Sequence, residues 1–410
     1  MRLLVLLFVF LFSWPAFSDD ALSEKRGLGS TNTEAADLAL MSGKIAWWYN
    51  WSALPGNYVG SDYSQYGVEF VPMVWGTSLD ENALRNYLSI HPEVKYILGF
   101  NEPNSAGEAD LTPQQAADNW YKIENIADEF NLKIVAPAVN YSAGGVDIPG
   151  TDDDGNPFAY LDAFFADCSD CRVDYIAVHA YMSDPSYVEQ YLAQFYSRYG
   201  KPIWLTEFNL SKGDNTETIE QQMDFLAEMT RWLENQSYIF RYAWFIGRTS
   251  GGASAAPYVD ILGDAGQWTA LGTLYGGIPG PDYRFDLPMT IQAEHAHSIS
   301  GFHHRVTTDT NGNPVVQLFS DAVGATMQFH VHSDSEKAYN WTLNYASGGD
   351  AQIAIQVDDD AWQTVTLPDT GMQYFWSTIT QAVTIPAGDH WFRVKVTSGT
   401  PNFDWMTFSD

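Results

Sequence analysis

The chain has 410 residues, more than one hydrophobic core usually serves, so two domains are expected. With 45% hydrophobic and 17% charged residues it has a globular and not a disordered composition. A formal charge of −31 disfavours nucleic acid and anionic membranes as partners and suits a neutral or cationic ligand.

Residues 1–18 read as a secretory signal: Arg2 supplies the positive start, residues 3–12 are apolar, and Ala16-Phe17-Ser18 is a small-x-small cleavage site. Removing it takes away Arg2 alone, changing −31 to −32. No later run reaches ~18 apolar residues, so a secreted, membrane-free protein is expected, extracellular or periplasmic. Residues 19–42 form an N-terminal segment without a clear pattern. Residues 43–275 alternate strand-like and helix-like stretches, with strands expected at 45–49, 70–74, 96–100, 133–136, 175–178, 203–206 and 242–245. These are near-continuous apolar runs, as parallel strands buried on both faces require. Residues 112–130 are an expected helix, with Thr112 as N-cap and Pro113 at its first position; residues 218–234 are another. The pattern predicts a (β/α)8 TIM barrel, its eighth strand lying either before Lys44 or between Gly76 and His91. Cys168 and Cys171 are open to three readings: a redox pair, half a zinc site, or a local disulfide. Export favours the disulfide. Residues 276–288, rich in Gly and Pro, read as a linker, and residues 289–410 as an all-β sandwich of the jelly-roll kind.

Two carboxyls carry the chemistry. Glu102, in Phe100-Asn101-Glu102-Pro103, and Glu207, in Leu205-Thr206-Glu207-Phe208, each end a strand, third and sixth of the seven. The C-terminal end of barrel strands is the catalytic face. Two carboxyls across that mouth suit glycoside hydrolysis, one protonating the leaving oxygen and the other attacking or activating water. A separation of about 5–5.5 Å would mean retention and about 6.5–9.5 Å inversion. Asn101 is placed to bond a sugar 2-hydroxyl. Tyr181, in Val178-His179-Ala180-Tyr181, is placed to donate to Glu207 and keep it ionised. With 15 Trp in the chain, sugar platforms are expected, and Trp48, Trp51 and Trp75 are the candidates. Strand alternation allows only one of Trp47 and Trp48 to face the mouth. Trp204 reads as core.

Together Asn101-Glu102-Pro103, Val178-His179-Ala180-Tyr181, Thr206-Glu207-Phe208 and Trp244 resemble, in order, the retaining barrel glycosidases of clan A. Within the clan the match is to glycoside hydrolase family 128, the endo-β-1,3-glucanases with an Asl1-like core. Residues 45–51, 71–76 and 171–179 are similar to it too. The resemblance implies acid/base Glu102, nucleophile Glu207, and Trp244 as the floor of the subsite for the attacked sugar. It also implies carboxylates on strands four and seven, one more in each case than the strands counted.

From Gln292 and Glu294 to Asn402 and Asp404, the last domain resembles carbohydrate-binding module family 6. That implies Trp376 as a stacking wall, Asn402 as the donor beside it and Phe319 as the opposite wall. It implies a structural Ca²⁺ on Gln292, Glu294 and Asp404. His295, His297, His303, His304, His330 and His332 cluster here, with no third ligand for a metal indicated. The expected protein is a monomeric β-1,3-glucan hydrolase with no catalytic cofactor and a tethered binding module. The alternatives are another β-glycan (mannan, xylan, mixed-linkage glucan) or a non-catalytic polysaccharide receptor.

Overall fold

The computed structural model describes residues 21–61, 63–141, 144–152, 154–249, 257–308 and 314–410. The signal-peptide assignment, residues 1–18, lies outside the described residues. Eight parallel strands form the first domain: β1 (Arg26–Gly29), β2 (Trp47–Tyr49), β3 (Glu69–Phe70), β4 (Tyr96–Leu98), β5 (Lys133–Val139), β6 (Tyr175–Met182), β7 (Ile203–Leu210) and β8 (Ile239–Phe245). Their order is β3-β2-β1-β8-β7-β6-β5-β4, and a parallel bridge from Met73 to Leu98 closes the ring. The helices are α1 (Ala35–Met41), α2 (Glu81–Ile90), α3 (Pro113–Phe130), α4 (Pro157–Asp167), α5 (Pro185–Tyr199), α6 (Ile219–Asn235) and α7 (Ala270–Gly277). Thr112 caps α3 through a capping box with Gln115, and Pro113 opens it. Cys168, at the end of α4, is bonded to Cys171.

The eighth strand is β1, one of the two expected placements, so the barrel begins before residue 43, and the described part of the N-terminal segment, residues 21–42, contributes β1 and α1 to it. This strand gave no apolar run because it reads Arg-Gly-Leu-Gly. Gly27 is there for close approach: a Cβ would meet the Trp47 ring at 2.2 Å. Arg26 is buried and donates to the carbonyls of Tyr275 (2.6 Å) and Ile278 (2.5 Å), with Glu234 at 3.6 Å. With β1 counted, Glu102 follows β4 and Glu207 lies in β7.

Side-chain alternation sorts the barrel. Trp47, Tyr49, Met73, Leu98, Ala177, Trp204 and Ala243 fill its interior, while Trp48, Leu205, Phe208 and Trp244 face the helices. Both sets are fully buried. Arg241 sits among the interior rings, 4.7 Å from the Tyr96 centroid and paired with Glu69 at 2.6 Å.

The second domain has strands β9 (Phe285–Asp286), β10 (Met289–Gln292), β11 (Ser298–Ser300), β12 (Phe302–Thr308), β13 (Pro314–Ser320), β14 (Thr326–Ser333), β15 (Lys337–Ala346), β16 (Ala351–Val357), β17 (Gln363–Leu367), β18 (Trp376–Ile385), β19 (Gly388–Ser398) and β20 (Asn402–Ser409). One sheet runs β12-β13-β20-β15-β18 with β10 on β20; the other runs β11-β14-β19-β16-β17 with β9 on β14. Leu318, Phe329, Trp341, Ile353, Phe392 and Phe408 lie between them. Apart from the short parallel β9–β14 pair, all the pairings are antiparallel, and the domain is a β-sandwich.

The two domains touch through α6. Arg231 donates to the carbonyls of Glu294 (2.8 Å) and Ala296 (3.0 Å). Asp224 accepts from the backbone N–H of His304 (2.8 Å) and meets the rings of His303 and His304. This accounts for part of the histidine cluster. His332 instead pairs with Asp389, and His330 stacks on Trp391.

Candidate active site

A cavity of about 410 Å³ opens at the C-terminal end of the barrel strands, lined by Glu102, Glu207, Asn101, Tyr181, Trp51 and Trp75, with Glu108, Asn140 and Phe245 beside them. Glu102 is brought there by continued pairing beyond β4: Asn101 bridges Ala138 of β5, and the Glu102 N–H donates to Ala138 O at 2.8 Å. Its φ of 40° is left-handed, as is that of Trp51 at 58°. For non-glycine residues each such conformation costs on the order of 1–3 kcal/mol and is kept where the surroundings enforce it, commonly at active sites.

Glu207 owes its direction to a bulge. Val178 pairs with Leu205, but the next pair is His179 with Glu207, so Thr206 is the extra residue. Bulges re-aim side chains in this way beside active sites. Here the bulge puts Glu207 beside His179 at the mouth, while Leu205 and Phe208 still face the helices.

His179 stands between the two acids. Its Nδ1 lies 2.6 Å from Glu102 Oε1 and 3.3 Å from Glu207 Oε2. One oxygen of each carboxylate lies within 4.8 Å of the other. That spacing belongs with the retaining arrangement of ~5–5.5 Å. Asn140 donates to Glu102 Oε1 at 3.2 Å. Glu207 accepts from Tyr49 (3.0 Å), from the Trp51 indole (2.7 Å) and from the Tyr181 hydroxyl.

Burial pushes the Glu207 carboxyl above the ordinary carboxylate range. The His179 charge pulls it down, the Glu102 charge pushes it up, and the bonds from Tyr181 and Trp51 pull it down. The expected Tyr181 bond exists and acts in the expected sense, but desolvation outweighs it. Burial would lower His179, yet the Glu207 charge and the Glu102 bond prevail and raise it. Glu102, His179 and Glu207 are also the one trio of His, Cys, Asp or Glu among the described residues spaced for a metal ion. The Nδ1 of His179 is engaged with Glu102, and the trio is read as an acid–base set.

Trp51 and Trp75 stand at the cavity, Trp75 being 40% exposed. Trp48 does not reach it. It is fully buried against Phe70 on the helix side, because the inner face of β2 belongs to Trp47 and then Tyr49. Trp244 is likewise not the floor of a subsite. It is buried against Phe208 and bonded to Val259 O at 2.8 Å. Inner positions of β8 run Arg241, Ala243, Phe245, so the ring at the mouth is Phe245, edge-on to Trp51 and Tyr181. Tyr49, Asn140 and Glu108 were not singled out from the sequence. Tyr49 was findable, two residues on from an interior Trp47 at period two.

In the sandwich, Phe319 pairs with Asn402, Asn402 with Ala346, and Ala346 with Trp376, so these residues share one cross-strand row. Trp376 is half-buried, with Tyr374 and Phe375 exposed beside it. Asn402 is buried, donating to Gln373 O at 2.9 Å. Phe319 does not offer an open wall. It is 6% exposed, with the Arg305 guanidinium 4.6 Å over its ring, next to the β12–α6 contact. At the other edge Gln292 ends β10, and Glu294 and Asp404 lie beside it. Burial and the Asp404 charge push the Glu294 carboxyl well above the ordinary range, against Arg231. Its Oε2 is buried without a hydrogen-bond partner. A buried carboxyl with an orphan oxygen, beside the half-buried Asp404 carboxyl, fits an oxygen-ligated cation.

A parallel eight-stranded barrel with one acid just beyond β4 and a second in β7 has the arrangement of a glycoside hydrolase. Residues 27–275 match the glycosyl hydrolase catalytic core family, and residues 292–410 match carbohydrate binding module (family 6). The chain is similar to the solved GH128 (subgroup II) endo-beta-1,3-glucanase from Sorangium cellulosum, at 38% identity over 63% of this chain and 99% of that one, TM-score 0.54. Its similarity to the GH128 (subgroup II) endo-beta-1,3-glucanase from Pseudomonas viridiflava is also 38% identity, over 63% and 98%, TM-score 0.55. The alkali-sensitive linkage protein 1 of Schizosaccharomyces pombe (strain 972 / ATCC 24843) is 27% identical over 62% of this chain and 45% of its own length. The chain thus spans about half of that curated relative. It belongs to the glycosyl hydrolase catalytic core family and, within it, to GH128.

Proposed function

We propose that the chain is a secreted, retaining endo-β-1,3-glucanase whose sandwich domain holds it on the polymer. The observation that carries this reading is the pair of acids, oxygens within 4.8 Å, in a barrel of the GH128 family. Glu102 gives its proton to the glycosidic oxygen as Glu207 attacks the anomeric carbon, releasing one sugar end and leaving a glycosyl ester. Glu102 then takes a proton from water, which attacks that carbon and frees Glu207. His179 Nδ1 bonds Glu102 and lies beside Glu207, so that the imidazolium form, where it is populated, favours the ionised Glu207. Trp51 and Trp75 offer faces to the sugar rings.

Trp376 and Asn402 serve as the sugar contact of the tether, which raises the local concentration of catalyst on insoluble glucan. Gln292, Glu294 and Asp404 would hold a structural Ca²⁺ that stabilises the sandwich edge. The protein is proposed to act outside the cell as a monomer; among the described residues no helix is long and apolar enough to cross a membrane. The test is chromatography over time on curdlan, laminarin, mannan and xylan. Short β-1,3-oligosaccharides with collapsing polymer length are expected; release from mannan or xylan alone would overturn the substrate, and silence on all four the enzyme.

A further inference from the structure

Glu108 is a third carboxylate at the cavity, and the reaction just described does not use it. The chain between Glu102 and Leu111 folds tightly back on itself. Ser105 N–H donates to Glu102 O (2.9 Å), Glu108 N–H to Ser105 O (3.2 Å), Ala109 N–H to Asn101 O (3.2 Å) and Leu111 N–H to Pro103 O (3.0 Å). The turn returns Glu108 to the residue that precedes the acid, and its Oε2 accepts from Asn101 Nδ2 at 3.2 Å.

This bond decides which end of the amide a sugar meets. An amide has a donating and an accepting end, and an ionised carboxylate only accepts. Burial and the charges of Glu102 and Glu207 raise the Glu108 carboxyl, and the Asn101 bond opposes them; in its ionised form Glu108 selects the NH₂ end of Asn101, while Oδ1 is buried without a hydrogen-bond partner. The NH₂ group has a second hydrogen for a sugar hydroxyl oxygen.

We propose that Glu108 is a positioning residue, which fixes the Asn101 amide with its NH₂ toward the cavity so that Asn101 donates to a sugar hydroxyl beside Glu102. This rests on the glycosidase reading. It implies that part of the sugar's hold is made by a group on the acid's own loop, so hydroxyl recognition and proton delivery share one rigid turn.

The test is a double-mutant cycle on laminarihexaose with E108A, E108Q, N101A and N101A/E108A, each with its melting temperature measured. E108A should lower kcat/KM about 10–100-fold, the range for losing a charged hydrogen bond. E108Q should recover most of it, because its amide oxygen still accepts from Asn101. N101A/E108A should be no worse than N101A, since Glu108 acts through Asn101. The proposal fails if E108A stays within twofold of the parent, if E108Q is as damaged as E108A at unchanged melting temperature, or if the two single losses multiply. A parent inactive on laminarihexaose would instead overturn the glycosidase reading, so the two failures are distinct.

Discussion

The barrel mouth and the sandwich row proposed to hold sugar are built of opposite materials. At the mouth, ionisable groups are kept buried: Glu207 is 4% exposed and is held by Tyr49, Trp51, Tyr181 and His179. In the sandwich, the row of Trp376 and Asn402 has no carboxylate, and its neighbours are the exposed rings of Tyr374 and Phe375. Bond cleavage needs charge that develops in a desolvated place, so the mouth must carry burial costs that binding does not. Holding a polymer needs only flat apolar faces and an amide, which solvent exposure does not harm.

The comparison breaks first at the acids. Glu102→Gln should lower kcat by about 10²–10⁴-fold, the contribution of general acid–base catalysis. Glu207→Gln should lose at least as much while curdlan binding survives, measured by reducing-sugar release and by depletion from solution. An active Glu207→Gln protein would remove the charge-based half of the contrast. Next comes Tyr181→Phe. The Tyr181 bond lowers Glu207, whose ionised form attacks, so its loss raises that group further. The acidic limb of kcat/KM then moves to higher pH. An unmoved limb in a full pH profile would mean that Glu207 does not set it.

Smaller effects sharpen the sandwich half. In the Glu207→Gln background, Trp376→Ala should weaken curdlan binding about tenfold, as loss of an aromatic anchor does. Unchanged binding would move the contact elsewhere, with Tyr374 and Phe375 the next rings to replace. Millimolar Ca²⁺ should raise the melting temperature of the intact chain, and Glu294→Gln should abolish the rise. A rise that survives Glu294→Gln would place the cation at another site.

The sequence carried the architecture because seven of the barrel strands are apolar runs between helices with clear caps. It left β1 as one of two possible placements, without residues, because Arg26–Gly29 has two glycines and a buried arginine whose partners, Tyr275, Ile278 and Glu234, are distant in the chain. The acids, Asn101, His179 and Tyr181 were legible since each lies toward or just beyond the C-terminal end of a strand in a recognisable motif. Trp48 and Trp244 were misplaced because a large ring near a mouth suggests sugar, whereas strand parity decides which ring faces in. Parity gave Tyr49 and Phe245 those positions, and the bulge at Thr206 altered it locally for Glu207. Phe319 kept its row but lost its role, because Arg305 covers its ring beside the contact with α6, and no local pattern announces a domain interface.

The most direct measurement is proton NMR of laminarin digestion in its first minutes, following the anomeric signals of new reducing ends. The spacing of Glu102 and Glu207 predicts that the β-anomer appears first and only later mutarotates. First appearance of the α-anomer would contradict it, showing inversion, with water and not Glu207 attacking the sugar.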